Sequence, residues 1–323
     1  MILAFVDHDA GRPSSTAQEA VTLGRRLADH IGTTLEGVAV GSGARDTAES
    51  AAALGVARLH VVEDERLSRY SPGAWGRTVA DAISTLRPDA VVGPGTDRGN
   101  EVMAEVASHL DLPMAANCIE VRPGDPFEVT RLRWGGSLLE DSVVEAEIKL
   151  LTLAPHAVQP QAAAPSAPFE VLGVTPSLDP VDIRVRALDE EASAAKGVSL
   201  ADARVVVGGG RGVGSPDGFR ALEELAALLG GVVGCSRVIT SLGWRPHTDQ
   251  VGQTGTRIAP DIYVACGISG ATQHMVGCRS AKRILAINTD PDAPIVAQAD
   301  YAVIGDVSQV VPAISREIRT RSG

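Results

Sequence analysis

The apolar positions of the chain come in short blocks, set between stretches with helical spacing. Ile2–Val6 reads as a buried strand. Ser14-Ser15 offers an N-cap, and Ala17 to Ile31 carries apolar residues at Ala20, Leu23, Leu27, Ala28 and Ile31, the spacing of a helix face. Leu35–Val40 is a second strand, Ala51–Leu54 belongs to a short helix, and Arg58–Val62 is a third strand. Trp75–Leu86 is amphipathic, Ala90–Gly93 is a fourth strand, and Glu101–Leu110 is helical until Leu112-Pro113 stops it. Strands that alternate with helices at this spacing predict parallel α/β layers.

From Cys118 the pattern turns strand-like. Ile119–Val121, Val129–Leu132 and Val143–Leu151, separated by Gly-rich turns such as Trp134–Ser137, predict antiparallel strands added to the sheet. Residues 154–168 are rich in Ala and Pro and read as an extended exposed loop, with His156 on the surface. Val181–Val185 reads as one more edge strand, and 188–198, with Asp189, Glu190 and Glu191, as a linker. A second block opens at Arg204–Val207, a strand that feeds the Gly-rich run Gly208–Gly214 and then a helix over Asp217–Leu229.

Three loops draw notice. Gly93–Asn100 follows a strand but lacks the lysine of a phosphate-binding P-loop, and reads as a tight turn. Val251–Thr256 and Gly267–His274 lie one short strand apart and together offer hydroxyls, an amide, an imidazole and many open backbone N–H groups. The second of them runs into a helix, whose N-terminus favours anions. This set suits a large, polar, phosphorylated cofactor.

Composition narrows the class. A chain of 323 residues is long enough for about two domains, and 44% hydrophobic with 21% charged residues is ordinary globular composition. Aromatics are only 3%, so packing must rest on Val, Leu, Ile and Ala. The apolar start Met1–Val6 is followed at once by Asp7-His8-Asp9, which reads as a strand rather than a signal peptide. No run approaches about 18 apolar residues, so no membrane span is expected. Cys118, Cys235, Cys266 and Cys278 form no C-x-x-C, and a reduced cytoplasm is the simple expectation. Residues 202–323 hold 11 acidic and 12 basic residues, so the net −11 of the chain falls on the N-terminal part. That acidic part repels nucleic acid and anionic membranes, although an acidic surface also simply aids solubility. The balanced part is where an anionic cofactor can sit.

The C-terminal motifs carry a resemblance. Val207–Gly212 (VGGGRG), Cys235-Ser236-Arg237, Val251–Gly255 (VGQTG), Gly267–His274 (GISGATQH), Ala286–Ile295 (AINTDPDAPI) and Ala299-Asp300-Tyr301 follow one another in order and at fitting spacing. Together they resemble the alpha subunit of the electron transfer flavoproteins, heterodimeric carriers of electrons on FAD. The resemblance implies two α/β domains. One is an N-terminal parallel-sheet, nucleotide-hydrolase-like domain over about 1–195 with added antiparallel strands, which packs on a beta subunit. The other is a C-terminal Rossmann-like FAD-binding domain over about 196–323. It further implies flavin dehydrogenases, such as an acyl-CoA dehydrogenase, as electron donors and a quinone-linked oxidoreductase downstream.

The resemblance also assigns site residues. Arg211, Ser236, Val251, Gly252, Gln253, Thr254, Ser269, Gly270, Ala271, Thr272, Gln273, His274, Asn288, Asp306 and Val307 match positions that contact FAD in the family. Asn288 and Asp306 would lie toward the adenosine. Ser269, Gly270 and their neighbours would meet the diphosphate and ribityl chain. Thr254 would bond near flavin N5, His274 near the O2 carbonyl, and Arg237 would lie close to the ring. A cation and a hydrogen-bonding imidazole at that edge favour the negative charge that reduction brings. Ser241 stands where the family usually has an acidic residue, and Thr256 where it often has Lys.

On residues alone, Arg237 is equally a surface cation and His274 a packing histidine. Gln253 and Thr254 fit a plain turn, and Asp306 fits a helix cap. The G-x-G-x-x-G spacing of dinucleotide sites is absent, since positions 213 and 215 are Val and Ser. Other readings are an FAD- or NAD-dependent enzyme on the same fold, with His247 as a spare histidine, an electron-bifurcating subunit fed by NADH, and a nucleotide-binding regulatory protein.

Overall fold

The computed structural model describes residues 1–163, 169–187 and 198–322. The chain divides into two compact units, Met1–Glu191 and Ala192–Gly323. The expected linker at 188–198 lies, but for its last residue, outside the described residues, and so does the expected domain boundary.

The first unit starts with β1 (Ile2–Phe5) and a small hairpin, β2 (His8–Asp9) with β3 (Arg12–Pro13). Helix α1 (Ser15–Ile31) begins where the Ser14 hydroxyl accepts from the Ala17 N–H at 3.1 Å and ends at Gly32, whose φ of 76° is the left-handed C-cap. Then come β4 (Leu35–Val40), α2 (Ala48–Ala53), β5 (Arg58–Val62), α3 (Pro72–Leu86), β6 (Ala90–Pro94) and α4 (Asp97–Leu110). Loop Gly93–Asn100 is the tight turn expected: the Thr96 hydroxyl caps α4 by accepting from the Gly99 N–H. The antiparallel part is β7 (Met114–Arg122), β8 (Phe127–Arg133) and β9 (Leu138–Val144). It is followed by β10 (Lys149–Leu153) and β11 (Glu170–Gly173).

Among the described residues these strands, apart from the β2–β3 hairpin, make a nine-stranded sheet in the order β11-β5-β4-β1-β6-β10-β7-β8-β9. The interior strands are apolar on both faces, as a parallel sheet covered by helices requires. Ile2 and Ala4 enter one core while Leu3 and Phe5 enter the other. Each fully buried Leu or Phe of this kind contributes roughly 1.5–3 kcal/mol relative to exposure.

Three expectations are corrected here. Val143–Leu151 is not one strand: β9 lies at the sheet's far edge, whereas β10 inserts parallel between β6 and β7. The polar stretch around Glu145 and Glu147 carries the chain across. Val181–Val185 forms turns with both valines exposed, and the edge strand is β11, pairing with β5. The 181–185 segment folds over Ser71, whose hydroxyl bonds the carbonyls of Asp182 and Val185. Finally, His156 is not a surface side chain. It is mostly buried against the buried Glu19, which accepts from the His156 N–H at 2.8 Å.

The second unit comprises β12 (Val205–Gly209), α5 (Phe219–Leu228), β13 (Val232–Cys235), α6 (Arg237–Ser241), β14 (Ile262–Cys266), α7 (Thr272–Cys278), β15 (Ile284–Asn288), α8 (Pro294–Gln298), β16 (Tyr301–Ile304) and α9 (Val307–Ser322). Its strands are all parallel, in the order β13-β12-β14-β15-β16. The order reverses at β12: the chain steps first to β13 on one side and then to β14 on the other. In such doubly wound sheets, ligands bind beyond the carboxyl ends of the strands at this reversal. Gly209, Cys235 and Cys266 sit side by side at those ends.

Candidate functional site

A cleft of ≈ 420 Å³ opens beyond the carboxyl ends of β12, β13 and β14. The loop after β12 supplies Arg211, the start of α6 supplies Ser236, Arg237 and Val238, and the segment before β14 supplies Gln250 to Thr254. The loop after β14 adds Gly267, Ile268, Ser269 and Ala271, and the first turn of α7 adds Gln273 and His274.

Close backbone packing shapes this end of the sheet. Gly210 and Gly212 lie so near Gly267 that a Cβ on either would fall within 2.6 Å of its backbone. The Gly210 N–H bonds the Cys266 carbonyl, and the Gly212 N–H bonds Gly267. The glycine run therefore serves to pack two loops together. The 251–256 loop is pinned from both sides, Val251 N–H to the Cys235 carbonyl and Gln253 N–H to the Gln273 carbonyl. The next loop is held by Asn288, whose Nδ2 donates to the Ile268 carbonyl at 2.8 Å. Gly270 has a φ of +81°, and a Cβ there would lie 2.4 Å from the Ile295 N.

What this packing leaves open is polar. Among the described residues, nothing accepts from the backbone N–H groups of Ser269, Gly270, Ala271, Thr272 or Gln273. The Ser236 Oγ and the His274 Nδ1 are buried without a hydrogen-bond partner, and both residues line the cleft. Buried polar atoms are rarely left so in folded proteins unless something else satisfies them. Arg211 and Arg237 are exposed at the cleft, and neither pairs with an acidic group among the described residues. The nearby Glu223 and Asp249 are taken by Arg245. The arrangement thus offers two free cations, a row of open N–H groups and two orphaned side-chain atoms around one cleft. That donor set suits an anionic ligand with several acceptor oxygens.

His274 is 7% exposed, and its Nε2 lies 2.8 Å from the Tyr263 hydroxyl. Burial pushes its pKa down to about 4, which the nearby Val251 backbone offsets only in part, so the ring is neutral at pH 7. Gln250, also buried, bridges two hydroxyls, with Thr240 at 2.7 Å and Thr254 at 2.9 Å.

The cleft gathers Arg211, Ser236, Arg237, Val251, Gly252, Gln253, Thr254, Ser269, Ala271, Gln273 and His274 from the sequence-predicted set. Gly270, on the loop after β14, and Thr272, at the start of α7, do not line the cleft. Asn288 is a strut of that loop, at the end of β15. Asp306 caps α9, accepting from the Ser308 N–H at 2.8 Å; hydrogen bonds from the Ser308 side chain and then from this N–H hold its carboxyl below the usual range. Val307 is buried beside a separate shallow cleft with Val213 and Ala221. Sequence reasoning missed Gln250 and Val238, which line the cleft, and Tyr263 behind it. Gln250 directly precedes the VGQTG run, and Val238 directly follows Cys235-Ser236-Arg237, which is the signal that was there to find. His247 is exposed and does not line the cleft. The four cysteines are buried free thiols. No helix of the described residues is long and apolar enough to cross a membrane.

Comparison with known proteins bears on both units. Residues 2–177 match the model of the electron transfer flavoprotein domain, and residues 199–279 that of the electron transfer flavoprotein FAD-binding domain. The chain is 32% identical over 321 residues to the electron transfer flavoprotein subunit alpha of Thermoanaerobacterium thermosaccharolyticum, covering 98% of this chain and 97% of that one. It is 31% identical over 328 residues to the protein of the same name from Megasphaera elsdenii, covering 100% and 97%. It is 34% identical over 319 residues to protein FixB of Clostridium saccharobutylicum, covering 96% and 94%.

Proposed function

The chain belongs to the electron transfer flavoprotein family, and from that membership we propose that it is the FAD-carrying large subunit of a heterodimeric electron carrier. Its partner is the small beta subunit of the same family. It takes electrons from flavin dehydrogenases, such as acyl-CoA dehydrogenases, and passes them to a downstream acceptor such as a quinone-linked oxidoreductase.

One observation carries the reading. The unit whose sequence is that of an FAD-binding domain has, at its strand-order reversal, a cleft lined by unsatisfied donors and unpaired cations. These residues fit FAD. The open N–H groups of 269–273 and Arg211 would hold the diphosphate, and Ser236 and Ser269 would bond the ribityl chain or its phosphates. Thr254 and His274 would meet the flavin edge, with Arg237 beside it. Asn288 would act on the adenosine side by fixing the loop, while Asp306 and Val307 would border that side. Bound FAD supplies one- and two-electron redox chemistry, which no side chain of the cleft has. The chain's own part is to orient it and to place positive charge and N–H donors where negative charge develops. In the N-terminal unit, Trp134, 80% exposed, and the exposed Leu138, Leu139 and Val143 give the antiparallel end of the sheet an apolar surface for the partner subunit.

The test is reconstitution with the neighbouring small subunit. A dehydrogenase with its substrate should bleach the flavin absorption of the pair, and added acceptor should restore it. Turnover of a substrate by this chain without a donor enzyme would refute the carrier role in favour of an enzyme. Two flavins per heterodimer reduced by NADH would point to bifurcation.

A further inference from the structure

Behind the cleft, Tyr263 is wholly buried on β14 with its hydroxyl 2.8 Å from His274 Nε2. The strand beside it makes room for that hydroxyl. A Cβ on Gly208 would lie 2.2 Å from the oxygen, so β12 carries glycine where the hydroxyl lodges. A tyrosine hydroxyl has one proton to give. Among the described residues its hydrogen-bond partner is His274 Nε2. The imidazole is neutral at pH 7, so one of its nitrogens is a donor and the other an acceptor.

Two arrangements are open. If Nε2 carried the proton, it would donate to the tyrosine oxygen. The tyrosine proton and the Nδ1 lone pair would then both be buried without a partner. If Nε2 is bare, the tyrosine donates to it, and only the Nδ1–H, near the Val251 backbone, is left without a close hydrogen-bond partner, beside the cleft. The second arrangement leaves one orphan where the first leaves two, and each buried orphan is costly.

We infer that Tyr263 fixes His274 as its Nδ1–H tautomer, making the imidazole a hydrogen-bond donor to an acceptor atom of the ligand in the cleft. Tyr263 is a positioning residue that acts only through His274. This deepens the flavin reading of the cleft and rests on it for the identity of the ligand, with a carbonyl oxygen or anionic edge as the matching chemistry. The tautomer itself does not depend on that reading.

The test uses the full chain labelled with 15N-histidine, first flavin-free. His274 is one of seven histidines and is assigned by its absence in His274→Gln. Two-bond 15N–1H correlations should show Nδ1–H in the wild type and a shift toward Nε2–H in Tyr263→Phe, with thermal unfolding nearly unchanged. Losing the donor should weaken FAD binding about tenfold, the effect of one hydrogen bond. In the His274→Gln background, Tyr263→Phe should have no further effect on FAD binding. A wild-type ring protonated on Nε2, or a tautomer unmoved by Tyr263→Phe, would overturn the inference. Additive losses of FAD affinity in the double variant would overturn the positioning role as well, leaving Tyr263 as packing alone. A wild-type chain that shows Nδ1–H yet takes up no FAD would uphold the tautomer and remove the flavin reading.

Discussion

The burial of His274 makes the second unit sensitive to acid in a defined window. In the flavin-free chain the ring sits in the wall between the cleft and the core, with one nitrogen bonded to Tyr263 and the other without a close hydrogen-bond partner, near the Val251 backbone. Burial lowers its pKa from 6.5 to about 4. The unfolded chain therefore takes up a proton near its ordinary pKa of about 6.5, while the folded chain resists until about 4. Within that window the unfolded state binds more protons, so stability falls as the pH falls. It is fully present above about 6.5 and fully lost below about 4. The whole separation is worth about 3 kcal/mol, and by pH 5 about 2 kcal/mol of it should be gone. The carboxylates of Asp261 and Asp306, held low by their hydrogen bonds, titrate below the window. The assay is hydrogen exchange with mass spectrometry on peptides spanning 262–278, at pH 7 and pH 5 after correction for intrinsic rates. The wild type is compared with His274→Gln, which cannot titrate. The wild type should lose about 2 kcal/mol more protection than the variant between the two pH values. Equal losses would refute the argument that this ring is held neutral by burial.

Other predictions follow from the same geometry. Ser236→Ala removes a buried hydroxyl with no partner, so the flavin-free chain should melt at the same temperature or slightly higher while FAD affinity falls in titration. Gly270→Ala forces a Cβ onto the Ile295 backbone at a φ of +81°, and should weaken FAD at least about tenfold without affecting proteolytic protection of the N-terminal unit. Arg237→Ala should lower the flavin's first one-electron potential by roughly 40 mV in spectroelectrochemistry, about 1 kcal/mol, since the guanidinium is exposed and screened. An unchanged potential would place Arg237 away from the ring.

Much of this architecture can be read along the chain because the relevant signals are local. The buried parallel strands are largely apolar runs, with Glu36 the exception in β4, and the Ser14 cap and the Gly32 stop mark the ends of α1. The failures arose where only a distant neighbour decides. Val143–Leu151 has strand composition throughout, but its halves belong to places separated by two intervening strands, β7 and β8. Val181 and Val185 form no strand because their segment folds over Ser71, 111 residues and more earlier, and β11 pairs with β5 instead. His156 looked exposed in an Ala/Pro-rich stretch because its burial depends on Glu19, 137 residues earlier. Within the site, the glycine- and hydroxyl-rich loops were legible as loops of a large polar ligand. Tyr263 reads as one more apolar strand residue, and Gln250 as a residue before a turn. Their hydrogen bonds to His274 and Thr254 exist only once the loops have folded onto the sheet.

The most direct test is an absorption spectrum of the full chain, purified with its small subunit and then supplied with FAD, alongside the Gly270→Ala variant. The account predicts a flavin spectrum at about one FAD per chain, with the variant retaining clearly less FAD under the same conditions. A wild-type protein that is colourless and takes up no added FAD would contradict it, and so would a variant that holds FAD as well as the wild type.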